Sequence, residues 1–188
     1  MSVEDRRESI LDAAMPLLKE QGAEVTTKQI ADAAGIAEGT IFRAFADKQD
    51  LVNAAVARYM DPEPTLAALR SIDTSLPLED KVEAVVGVIS ARFRGVVGIM
   101  NALGIHHGPP PGMAHSHKHN GHGAPARTVT ESLFEPDAER LRMSPAEAVH
   151  FIRLLCFANS IPTIAGDREL SAADLTDFIL RGISKEGH

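Results

Sequence analysis

Between Thr27 and Ala46 the chain reads Thr-Lys-Gln-Ile-Ala-Asp-Ala-Ala-Gly-Ile-Ala-Glu-Gly-Thr-Ile-Phe-Arg-Ala-Phe-Ala, an order that few folds accept. Thr27 suits a helix N-cap, where a hydroxyl accepts from an otherwise unpaired backbone N–H. Ile30 and Ala34 give that helix one apolar face, and Ala31 is small enough for a second helix to cross closely. Gly35 falls where the helix must end in a positive φ, a conformation only glycine adopts at little cost. Ile36 anchors the turn, and Ile41 and Phe45 face inward on the second helix. Glu38, Gly39, Thr40 and Arg43 are left outward. The spacing predicts a helix-turn-helix, a unit that lays its second helix in the major groove of duplex DNA. An ordinary helical hairpin would share the apolar positions, but here the outward residues are also ones that a groove accepts.

The rest of the composition bounds the fold. A chain of 188 residues supports one or two small domains with a real core. Aromatic residues make up 4% and tryptophan is absent, so strand-favouring side chains are scarce and an all-α fold is expected. The first residues carry Glu4, Asp5, Arg6, Arg7 and Glu8, unlike a signal peptide. No apolar run approaches the ~20 residues of a membrane span. Cys156, the single cysteine, lies in an apolar run and reads as buried filler. These features point to the cytoplasm.

A net charge of −7 argues against bulk attraction to nucleic acid. The spacing nevertheless puts Lys28, Arg43 and Lys48 on the groove-facing side, with many acids pointing away or capping helix starts. Weak non-specific affinity, with reliance on site-specific contacts, is the expectation.

Helical periodicity organises the remainder. Residues 3–21 form an amphipathic helix with Ile10, Leu11, Ala14, Leu17 and Leu18 inward. Asp47 caps a helix from Lys48 to about Met60, before Asp61-Pro62. A short helix over 65–72 and a long one over 78–103 follow. Residues 104–125 break all periodicity with Gly, Pro and His. A helix resumes near Ala126 and is disturbed at Pro136. Ser144-Pro145-Ala146-Glu147 and Ser171 to Asp174 each open a further helix. Two domains are expected: a three-helix DNA-binding head over 1–47, and a helical effector-binding and dimerisation domain over 48–188.

Ile10-Leu-Asp-Ala-Ala14, Gly22, Thr27-x-x-Ile-Ala31, Ala34-Gly-Ile36, Gly39-Thr-Ile-Phe42, Phe45, Lys48 and Leu51 together resemble the TetR (tetracycline-repressor-like) family of transcriptional regulators. The resemblance covers about residues 6–56. It implies a homodimer whose two heads meet successive major grooves of a pseudo-palindromic operator, a small-molecule pocket in the second domain, repression as the default and no catalysis or cofactor. Carried over position by position, Thr27 caps its helix and touches a phosphate, with Lys28 at the groove edge. Glu38 accepts from a cytosine amino group, and Gly39 lets the backbone approach. Thr40 bonds a phosphate, Arg43 reads guanine, and Lys48 meets a phosphate. Ala37 stands where the family often has serine. Phe42 belongs to the same DNA-binding set but stands where tyrosine is usual, so the tyrosine's hydroxyl–phosphate bond is lost, and simple packing is the plainer role of its ring.

Beyond the head the sequence offers weaker signals. Phe93, Val97, Met100, Leu103, Phe134 and Phe151 are candidate pocket-lining residues for an apolar effector, with Arg92, Arg94 or Asn159 as polar anchors. The last two helices, with Ala146, Val149, Ile152, Arg153, Leu175, Phe178, Ile179 and Gly182, suit a four-helix dimer bundle. His115, His117, His119 and His122, within a His-rich stretch over 106–122, are imidazoles that zinc, nickel or copper accept. That stretch supports an alternative, a metal-responsive regulator or metal-binding protein, against the plainer reading of a solvated insertion. No catalytic constellation is present in the sequence, so an enzyme is not expected.

Overall fold

A computed structural model describes residues 3–104, 124–168 and 170–185, and within them the chain is helical. The only pairing of extended backbone among the described residues is an isolated bridge between Leu141 and Ser184. The helices fall into two compact units.

The first unit begins with α1 (Val3–Gln21), which buries Ile10, Leu11, Ala14 and Leu18. Gly22 then turns the chain with φ +61, and a Cβ there would meet the Ala102 carbonyl oxygen at 1.8 Å. Glycine is required at this position on both counts. Thr26, not Thr27, caps α2 (Thr27–Ala34): its hydroxyl accepts from Gln29 N while the Gln29 side chain returns to the Thr26 N–H. Two of the helix's open donors are thereby satisfied at once. Gly35 ends α2 at φ +66, and its N–H donates to the Ala31 and Asp32 carbonyls. After this tight turn comes α3 (Glu38–Ala44). Asp47 accepts from Asp50 N and starts α4 (Lys48–Tyr59), which buries Leu51, Val52, Ala55 and Val56. Ile30, Ala31, Ile41 and Phe45 join these side chains in one core. This compact unit carries α4 and runs through Asp61.

The second unit comprises α5 (Glu63–Arg70), most of α6 (Leu78–Ala102), α7 (Ala124–Phe134), α8 (Pro145–Asn159), α9 (Pro162–Ala165) and α10 (Ala172–Ile183). A 3-10 segment, Glu135–Arg140, follows α7 at Pro136. Leu66, Leu69, Val82, Val85, Val86, Phe134, Val149, Ile152, Leu175 and Ile179 fill its core. Lys81 is the one buried charge among the described residues. It pairs with Asp137 and donates to the Thr74 carbonyl at 3.1 Å. Backbone bonds from Arg142 N to the Ile183 carbonyl and from Lys185 N to the Arg140 carbonyl pin the end of α10. Residues of α6 up to 97 belong to this unit, whereas Gly98–Ala102 and Ile99's buried side chain belong to the first.

Candidate nucleic-acid interface

α3 has seven residues, too few to hold itself by helix propensity. Neighbours fix it instead. Ile41 and Phe45 are sealed in the core, the Arg7 guanidinium lies 4.2 Å over the Phe45 ring, and Arg7 also donates to the Ala44 carbonyl. At about 100° per residue, the remaining side chains divide sharply around the axis. Glu38, Phe42, Gly39 and Arg43 fall in that order on one exposed arc, while Thr40 and Ala44 are half-buried beside Ile41.

Each residue of the arc has a distinct setting. Thr27 is the first residue of α2 and not its cap, and its Oγ1 donates to Glu38 Oε1 at 2.6 Å. This bond ties the start of α2 to the start of α3 and fixes the acid in place. A carboxylate retains further lone pairs for an outside donor. Gly39 has nothing within 4 Å of where a Cβ would stand, so the fold does not demand glycine there and the surface lies open. Arg43 and Lys28 are exposed and form no ion pair among the described residues. Lys48 Nζ donates to the Ala23 carbonyl at 2.7 Å, which holds its head group against the loop before α2. Phe42 is 51% exposed, and the expectation of simple packing is wrong: Ile41 and Phe45 already occupy the inward side.

The second unit scatters the candidate pocket residues. Phe134 is sealed in its core and Phe151 stands on the surface. Met100 and Leu103 pack against the core of the first unit. Phe93 and Val97 remain, both half-buried. Phe93 meets Phe157 edge-on at 5.3 Å, and the Arg153 guanidinium lies 5.7 Å from the Phe93 ring. Burial, and then the neighbouring Arg127, holds the Arg153 guanidinium below its ordinary value. Arg153 is thus a cation at the edge of an aromatic pair, which helical spacing had placed on the dimer face. Asn159 is unsuited as a ligand anchor, since its amide bonds both the N–H and the carbonyl of Leu170. Cys156 is buried, as its apolar surroundings suggest, and burial pushes its thiol up.

The dimer candidates also divide. Val149, Ile152, Leu175 and Ile179 are consumed by the unit's own core. The side chains that remain outward are Phe151, Leu154 and Phe157 on α8 and Phe178 on α10, each 45–60% exposed. Of the expected set, Phe178 stands outward, while Val149 and Ile152 on α8 face the unit's own core, because both faces of that helix are apolar. His115, His117, His119 and His122 lie outside the described residues. Within them, no group of three or more His, Cys, Asp or Glu side chains is arranged to hold a metal ion. No single described helix is long and apolar enough to cross a membrane.

Comparison with known proteins converges on the same segment. The family described as bacterial regulatory proteins, tetR family, matches residues 10–55. Over 51 residues the chain is 51% identical to YvkB of Bacillus subtilis (strain 168), an uncharacterized HTH-type transcriptional regulator. That match spans 27% of this chain and 27% of the relative, about a quarter of its length. Solved structures extend the likeness in fold along the chain. NalD, the secondary repressor of the MexAB-OprM multidrug efflux pump in Pseudomonas aeruginosa, is 22% identical with a TM-score of 0.59, covering 97% of this chain and 99% of its own. SmeT, the repressor of the Stenotrophomonas maltophilia multidrug efflux pump SmeDEF, is 22% identical with a TM-score of 0.58, covering 96% and 91%. The chain thus carries, over residues 10–55, a segment that matches the tetR family of bacterial regulatory proteins, and its helices share the fold of solved structures such as NalD and SmeT.

Proposed function

We propose that the chain is a transcriptional regulator that binds a pseudo-palindromic DNA operator as a homodimer, represses, and is released by a small apolar effector. The observation that carries this reading is the exposed arc of α3. Acid, ring, open glycine and unpaired arginine stand together on a helix whose opposite side is held by the core. Arg43 is placed to bond guanine, and Glu38 to accept from a cytosine amine. Lys28, Thr40 and Lys48 supply the phosphate contacts that set register, and Thr27 adds its backbone N–H at the start of α2. The acidic balance of the chain keeps non-specific affinity low and leaves selectivity to the arc. That NalD and SmeT are repressors supports the sign of regulation.

The homodimer reading rests on the apolar face of Phe151, Leu154, Phe157 and Phe178, which two copies would bury against each other. Two heads then present α3 about one DNA turn apart, ~34 Å. For the effector, half-buried Phe93 and Val97 supply an apolar wall, and Arg153 a cation beside it. A coupling of ~1–3 kcal/mol between effector binding and operator binding gives useful release. The setting of this activity is the cytoplasm.

Binding-site selection from random duplexes tests the reading. A pseudo-palindrome is expected, and Arg43→Ala weakens binding to it by about 1–3 kcal/mol per contact while relaxing one position. Recovery of no preferred sequence would end the regulator reading. Sedimentation of Phe178→Asp, expected to shift the dimer toward monomer, tests the face separately.

A further inference from the structure

We propose that Phe42 is a specificity-determining residue that reads the 5-methyl group of a thymine in each half-site. This rests on the DNA-binding reading above and adds a third reader to Glu38 and Arg43.

The case begins with an apolar side chain that the fold leaves unused. In the first unit, Val3 and Phe42 are the large apolar side chains left widely exposed among the described residues, and Val3 is the first described residue of the chain. Phe42 sits mid-helix, with the buried Ile41 and Phe45 already closing the core side of α3. Its ring therefore contributes little to folding, and leaving it in water is unfavourable unless something covers it.

Position and chemistry then select the occupant. At about 100° per residue, Phe42 lies roughly 40° around the helix from Glu38 and about 100° from Arg43, between the two. Glu38 is held by Thr27, and Arg43 is unpaired among the described residues, so both polar readers flank the ring in place. From Glu38 to Arg43 the helix rises about 7.5 Å, or some two base-pair steps of ~3.4 Å. The three side chains thus face neighbouring base pairs. The open surface at Gly39 lets the groove wall come close to the ring.

A phenyl ring carries no hydrogen-bonding atom and presents a negative face, so it has nothing to offer a phosphate oxygen. Each base edge in the major groove carries donors and acceptors, and thymine adds the one methyl group. An apolar side chain between an acid and a guanidinium matches that methyl and no other group in the groove. The arc then specifies three neighbouring pairs by three chemistries: an amine for Glu38, a methyl for Phe42, and guanine acceptors for Arg43.

The test uses the full-length protein and the duplex recovered by selection. Each thymine is replaced in turn by deoxyuridine, which removes the methyl and leaves every hydrogen-bonding atom. At one position per half-site the wild type should lose about three- to fivefold in affinity, the expected worth of one buried methyl, and roughly the square of that when both half-sites are changed. Phe42→Ala should bind the thymine and deoxyuridine duplexes equally, with circular dichroism and melting unchanged because the ring is exposed. Placing a C·G pair at the same position should weaken wild-type binding, and 5-methylation of that cytosine should recover part of the loss. Indifference of the wild type to every thymine methyl, or a methyl effect that persists in Phe42→Ala, would overturn the assignment while leaving DNA binding intact. Failure of the selection itself would instead remove the reading on which it rests.

Discussion

Each unit has its own core of buried apolar side chains, yet the two are specified in different ways. In the first, α2 has eight residues and α3 has seven, and named groups mark the boundaries around them: Thr26 with Gln29 starts α2, Gly35 at φ +66 ends it, and Asp47 with Asp50 starts α4 after α3. In the second, α6 has 25 residues and α8 has 15, and their cores are filled by Leu, Val and Ile at helical spacing. Short helices depend on particular residues at particular places, whereas long ones accept any side chains of suitable volume. The contrast agrees with a family match confined to residues 10–55, while likeness along the whole chain is one of fold at 22% identity. Specification by punctuation leaves a readable sequence, and specification by volume does not.

The largest expected effect would break this contrast from the second unit's side. Lys81 is buried and its carboxylate partner is Asp137, so Asp137→Ala leaves an ammonium without its counter-charge. A loss of about 3–5 kcal/mol in chemical denaturation is expected. A loss below ~1 kcal/mol would mean that even this pair is replaceable. Next comes the head's turn. Gly35→Ala meets no atom within 4 Å but must adopt φ +66, at a cost of about 1–2 kcal/mol. Because there is no collision, the effect isolates backbone conformation.

A smaller and balanced pair sharpens the comparison. Thr26 and Ser144 each head a complete capping box, one in each unit. Thr26→Ala and Ser144→Ala should each cost about 1 kcal/mol, and a large inequality would show that punctuation matters unequally in the two regions. The second box also titrates. The Ser144 hydroxyl, and then its backbone N–H, holds the Glu147 carboxyl below the ordinary glutamate range. Its contribution is complete above the unfolded pKa and is lost as pH falls through the lowered folded one. Acid unfolding of Glu147→Gln should therefore lack that component. Least disruptive to the fold is Gly39→Ala. Stability should hold or rise by up to about 1 kcal/mol, while operator affinity falls because the added methyl stands on the open arc.

Legibility followed the same division. Gly35, Asp47, Ser144 and Ser171 act in the structure as their residue types suggest. The cap of α2 was displaced by one residue because Thr26 and Thr27 both suit the role. The Thr26-x-x-Gln29 spacing carried the signal that separates them. Ile41 and Phe45 are readable as inward, but for Phe42 aromatic character alone does not separate packing from contact with DNA. In the second unit, periodicity located α8 and α10, yet Val149 and Ile152 fill the unit's own core while Phe151 and Leu154 face out. Hydropathy cannot rank two apolar stripes on one helix. Of the two candidate pocket rings, Phe134 is sealed and Phe151 exposed, since nothing local distinguishes a core ring from a surface ring.

The hydroxyl of Thr27 on Glu38 has an outcome for discrimination. A carboxylate already tethered has few rotamers left to surrender when a duplex arrives, so an ill-suited base cannot be met by swinging the acid aside. Cutting the tether with Thr27→Val would grant that freedom, and the protein should then tolerate a wider set of operators while its tightest site changes little.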